Sequence, residues 1–135
     1  AREIAFQFLF ASIEQTPEQI QSKDYLSATK TEFEVFCNNF KFPNDAFAWD
    51  LVKTVCENLP AIDKAITTHS SNWRIERMPK VDLSIIRLGA SEILYRQDIP
   101  KSVSINEAIE LAKQFGAEDS ASFVNGLLDK LNKSS

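Results

Sequence analysis

The chain is poor in the residues that make versatile chemistry: three glycines, two cysteines, one histidine and one methionine in 135 residues. Each shortage excludes something. With only Gly89, Gly116 and Gly126, neither a phosphate-cradling loop nor a dinucleotide fingerprint can be written. Cys37 and Cys56 share no CxxC spacing and fall on helix-like apolar patterns. They read as small buried hydrophobes in a reducing compartment, not as a disulfide or a metal pair. With His69 they make three scattered candidates, one short of a zinc site. No metal, no cofactor and no catalytic constellation is expected. No apolar run approaches the ~20 residues of a membrane span, and the opening Ala1-Arg2-Glu3-Ile4 is no signal peptide. Cytoplasmic placement without membrane contact is the expectation, as is a trimmed N terminus, since the first residue is not Met.

Positive charge is also short. Lys and Arg number 15 against 19 Asp and Glu, a net charge of −4. Phosphate-backbone affinity comes largely from cationic side chains, so an acidic chain is a poor free-standing nucleic-acid binder.

Helical periodicity fills the rest. In the stretch from Arg2 to Gln15, Ile4, Ala5, Phe8, Leu9, Ala11 and Ile13 recur at three- and four-residue steps. Thr16-Pro17 stops that helix, because the residue before proline is driven out of the α region. Pro17 to Lys30 is polar and reads as a loop, leading to a helix around Thr31 to Asn39. Asn44-Asp45 is an N-cap signal for a helix carrying Phe47, Leu51, Val52, Val55 and Leu59, which Pro60 kinks or breaks. A helix after Pro79 holds Val81, Ile85, Ile86, Leu88, Ile93 and Leu94, with Arg87 a paired, partly buried arginine. Ser104 with Glu107 forms a capping box for a helix that Gly116 ends as a left-handed terminator. The last helix starts near Glu118-Asp119-Ser120, acidic at its positive end. No stretch alternates as a strand does. The fold class is all-α: one domain over residues 1–135, a compact bundle of about six or seven helices.

The run Ile105-Asn106-Glu107-Ala108-Ile109-Glu110-Leu111-Ala112-Lys113, followed by Phe115-Gly116-Ala117-Glu118-Asp119-Ser120 and Phe123-Val124-Asn125-Gly126-Leu127-Leu128-Asp129, resembles the C-terminal signature of the NusB family of bacterial transcription antitermination factors. Ala1-Arg2-Glu3, Ala5, Gln7 and Leu9-Phe10 resemble its opening helix, and Trp73, Arg77, Pro79, Asp82, Arg87-Leu88 and Glu92 its middle. Residues 16 to 60 resemble it in helical pattern alone. The resemblance implies two small helical subdomains and no catalysis. It also implies binding of the boxA element of single-stranded ribosomal RNA leader transcripts, as a heterodimer with the ribosomal protein NusE inside an RNA polymerase antitermination complex. A homodimer is a further possibility. A helical protein–protein adaptor that kept the fold without RNA recognition is the alternative.

Carried over residue by residue, the RNA site would comprise Arg2, Phe115, Gly116, Ala117, Asp119, Ser120 and Phe123. The partner-protein surface would comprise Phe10, Glu76, Arg77 and Asp82. Each has a plainer reading beside it. Phe115 and Phe123 lie on apolar stripes that burial alone explains, yet bases of single-stranded RNA stack on such rings. Gly116 serves as a cap, and amides at the next helix start make a ready anion site. Asp119 suits a helix dipole; near RNA it would accept from a base donor. The acids Glu76 and Asp82 suit steering of a basic ribosomal protein, or are merely surface carboxylates. Phe10 stands where the family usually has Tyr, and Leu83 and Ser91 replace a usual basic residue and a usual aromatic. The arginine cluster that precedes Ala1 in the family lies outside this sequence.

Overall fold

A computed structural model describes residues 1–12, 24–43, 45–70 and 74–134. The Thr16-Pro17 stop, the polar run as far as 23, Asn44 and Trp73 lie outside the described residues. Among the described residues the regular structure is helix throughout: α1 (Arg2–Ala11), α2 (Tyr25–Asn39), α3 (Ala46–Glu57), α4 (Leu59–His69), a 3-10 turn (Ile75–Arg77), α5 (Lys80–Tyr95), α6 (Lys101–Phe115) and α7 (Ser120–Ser134). The all-α expectation holds.

Helix α5 is the axis, packed against α1, α3, α4, α6 and α7. From Asp82 to Ile93 every residue but Arg87 is buried, as befits a helix enclosed on all sides. Small residues make that possible. A Cβ built on Gly89 would stand 2.7 Å from Leu128 Cδ1 and 3.6 Å from Ala108 Cβ, so α7 approaches α5 where the side chain is missing. Leu128 is itself fully enclosed and has little room to give. Gly89→Val is expected to lower stability by about 1–3 kcal/mol, the usual cost of overpacking, read as a fall in the urea midpoint. Gly126, with open space around it, should tolerate Ala without loss.

α1, α2 and α3 pack together at one end, and α6 and α7 with α5 at the other. One continuous apolar cluster joins the two groups, running from Phe6, Phe8 and Phe33 through Leu51 and Ile86 to Leu128 and Leu131. Two charged pairs stitch its margin. Arg87 donates to both Asp63 oxygens at 2.8 Å, the paired arginine expected from sequence. Arg2 reaches across from α1 to Glu92 on α5 with three contacts of 2.8–3.1 Å.

Four local expectations need correction. α2 begins at Tyr25, six residues earlier than Thr31, because Tyr25, Thr29 and Phe33 form a buried i, i+4, i+8 stripe. The break before Pro60 falls at Asn58, which leaves Pro60 in the first turn of α4, where its missing N–H goes unnoticed. α6 begins at Lys101 after Pro100, so Ser104 is inside the helix and caps nothing. Its hydroxyl instead donates to Glu92 Oε1 at 2.9 Å. Gly116 ends α6 in an extended conformation, φ −94° and ψ −174°, not a left-handed one. The Asp45 cap stands: its side chain accepts from the Phe47 and Ala48 amides.

Both cysteines are buried as free thiols. Burial pushes the Cys56 thiol above its ordinary value, so it stays neutral at pH 8. Folding favours the neutral thiol, so that contribution to stability is complete below the ordinary thiol pKa and fades as pH rises past it. Native protein at pH 8 should react with a disulfide reagent at Cys56 more than ~100-fold slower than urea-unfolded chain. Equal rates would place the thiol at the surface.

Candidate nucleic-acid and partner interface

The junction between α6 and α7 is an arch of four residues. The Gly116 amide closes α6 on the Ala112 carbonyl at 2.9 Å, and Ala117, Glu118 and Asp119 then stand exposed before α7 starts at Ser120. The arch is tied internally. The Ala117 amide donates to Ser120 Oγ at 2.9 Å, and the Ser120 amide donates back to the Ala117 carbonyl at 3.1 Å. Only a glycine fits at 116, since a Cβ there would lie 2.6 Å from Ser120 Oγ and 2.8 Å from the Ala112 carbonyl oxygen. This close approach, not backbone φ, explains the glycine.

Phe115 and Phe123 flank the arch, both half-buried against the core. The Phe115 ring stacks obliquely on Phe6 at 4.9 Å, and Phe6 in turn meets Phe10 at 6.1 Å. These rings floor an open groove of about 310 Å³ between α1, α2 and the start of α5, walled by Phe36, Phe40 and Val81. Phe10 is 36% and Phe40 61% exposed. Lys80 sets its ammonium 5.3 Å from the Phe10 ring centre, a cation–π contact at the groove's mouth. Phe115 thus belongs to both features: its ring lies in the groove and its backbone leads into the arch.

The sequence-predicted residues divide accordingly. Phe115, Gly116, Ala117, Asp119, Ser120 and Phe123 come together at the arch. Phe10 lies in the adjoining groove. Glu76 and Arg77 are exposed on the 3-10 turn that leads into α5. Two residues are placed elsewhere than expected. Arg2 is turned inward, its guanidinium held by Glu92 with a raised pKa and a side chain only 16% exposed, so it is not a free cation for phosphate. Asp82 is 5% exposed and accepts from Ser120 Oγ at 2.7 Å, so it is not a surface carboxylate facing a partner. Sequence reasoning missed Lys80, Phe36 and Phe40. The excess of rings at Phe36, Phe40 and Phe42 was the available signal.

Among the described residues, no group of three or more His, Cys, Asp or Glu is placed to hold a metal ion. No helix there is long and apolar enough to cross a membrane. The fold and the site together define an all-helical bundle that presents an aromatic groove beside a hydrogen-bonded polar arch.

The NusB family profile matches residues 1–133, and the chain belongs to that family. The transcription antitermination protein NusB of Geotalea uraniireducens is 44% identical over 136 residues, covering 96% of this chain and 90% of that protein. The protein of the same name from Citrifermentans bemidjiense is 59% identical over 86 residues, a stretch that spans 64% of this chain and 59% of its own length. The solved structure of T. maritima NusB superposes with a TM-score of 0.74 at 33% identity, over 98% of this chain and 87% of that one.

Proposed function

We propose that this protein is a cytoplasmic transcription antitermination factor that binds boxA single-stranded leader RNA of ribosomal RNA operons as a heterodimer with the ribosomal protein NusE, within an RNA polymerase antitermination complex. The observation that carries this reading is the adjacency of groove and arch through the shared Phe115 and its contact with Phe6. A partner seated in the groove lies next to the segment that would meet RNA, and two weak surfaces become one. The relatives named as transcription antitermination proteins support the same role.

The division of labour follows from the charges. With a net charge of −4, the chain supplies little phosphate affinity of its own. A basic ribosomal protein supplies it, attracted over a distance by the net negative charge of the whole chain. The arch would supply local recognition: the positive end of α7 for an anion, the Asp119 carboxylate to accept from a base donor, and the half-buried rings of Phe115 and Phe123 for stacking. No chemical step is involved.

A boxA oligonucleotide added to the NusE-bound protein is expected to shift the backbone NMR signals of Gly116 to Ser120 and leave those of the α4 surface unmoved. Shifts confined to residues away from the arch would overturn the site. A second copy of the chain could occupy the same groove, so sedimentation across concentration should show any self-association abolished by NusE.

A further inference from the structure

The Asp82 carboxylate is buried in the first turn of α5, where the helix dipole favours it. It is also the acceptor that fixes Ser120. The Ser120 hydroxyl donates to Asp82 Oδ1 at 2.7 Å, and its oxygen accepts the Ala117 amide at 2.9 Å. A serine hydroxyl left alone rotates among acceptors. With its proton committed to a buried carboxylate, its lone pairs are aimed at Ala117, and the exposed arch is pinned from inside. Ser120 is 1% exposed and Asp82 5%, so water does not substitute for either partner. The neighbours of Asp82 in the same turn face the groove: Val81 lines its wall and Lys80 covers the Phe10 ring.

We infer that Asp82 is a positioning residue, which holds the α6–α7 arch in its RNA-receptive shape through Ser120 and ties that shape to the helical turn bordering the partner groove. It acts on RNA from within and does not touch the partner. The assignment rests on the RNA-binding reading proposed above, and deepens it by naming what fixes the arch.

The test uses the full chain with four replacements: Asp82→Asn, Asp82→Ala, Ser120→Ala and the double Asp82→Ala/Ser120→Ala. Asn keeps an acceptor oxygen in the same place, so Asp82→Asn should hold boxA RNA affinity within about threefold when NusE is bound. Asp82→Ala and Ser120→Ala should each weaken RNA binding about tenfold with NusE affinity unchanged, and the double should be no weaker than either single, the mark of one shared contact. Unchanged NusE affinity also reports that each variant is folded. Additive losses, RNA affinity unmoved by Ser120→Ala, or NusE affinity lost in Asp82→Asn would each overturn the inference.

A second readout needs no RNA. Hydrogen exchange at the Ala117 amide should quicken more than about tenfold in Asp82→Ala and stay near the parent rate in Asp82→Asn. If the parent protein with NusE fails to bind boxA RNA, the functional reading falls, while the exchange rates still decide the positioning role. An Ala117 amide equally protected in Asp82→Ala would end it.

Discussion

Arg2→Ala is expected to cost the fold about 3–5 kcal/mol, the usual penalty for removing one partner of a buried ion pair. Glu92 is 1% exposed and would keep the Ser104 hydroxyl at 2.9 Å as a side-chain donor. The three contacts from Arg2, at 2.8–3.1 Å, would vanish together. Ordinary domains are stable by only 5–15 kcal/mol, so the variant would stand close to unfolding. Arg2→Lys should recover part of the loss, since an ammonium restores the charge without the planar fork. Exchanging the exposed Lys133–Asp129 pair for neutral residues should move stability by less than about 1 kcal/mol. Urea unfolding measures all three. A loss below about 1 kcal/mol in Arg2→Ala would mean that the guanidinium is free in solution, and would restore it as a candidate RNA contact.

Phe10→Glu is expected to weaken NusE binding by at least about 100-fold while changing stability by less than about 1 kcal/mol. Interface energy concentrates in a few aromatic anchors, each costing about 2 kcal/mol or more when lost, and 1.4 kcal/mol is tenfold in affinity. Phe10 has the placement such an anchor needs: 36% exposed, resting on Phe6 at 6.1 Å and capped by Lys80 at 5.3 Å. Its exposure is also why the fold should survive, because the ring leaves no enclosed cavity behind. Val103→Glu, at a 39% exposed site in the first turns of α6, serves as the control and should leave NusE affinity intact. Calorimetric titration of NusE into each variant separates the outcomes. Equal affinities for parent and Phe10→Glu would place the partner elsewhere.

Periodicity was enough to read the helices, because apolar spacing reports which face is covered. It read α5 well, where Ile85, Ile86, Leu88 and Ile93 are all enclosed. It missed the first turns of α2, where Thr29 looks polar but satisfies its hydroxyl on the Tyr25 carbonyl at 2.7 Å. Ser104 was misread for a related reason. A serine followed three residues later by glutamate is a capping signal only if a helix begins there, and the partner that claims Ser104, Glu92, is twelve residues away.

The arch residues were legible only through the family resemblance. What they do to one another was not. Asp82 and Ser120 are 38 positions apart, and no local pattern predicts that a first-turn acid of one helix will clamp the start of another. Arg2 and Glu92 are separated by 90. Arg2 and Asp82, which read as surface groups along the chain, were enclosed by the fold.

If groove and arch act as one surface once a basic partner is seated, RNA affinity depends on that partner. Fluorescence anisotropy of a labelled boxA RNA, titrated with the protein alone and with the protein saturated by NusE, tests it most directly. Binding should be weak for the protein alone and at least tenfold tighter and salt-dependent in the pair, exceeding that of NusE by itself. RNA affinity indifferent to NusE, or an RNA affinity of the pair no greater than that of NusE alone, would contradict it.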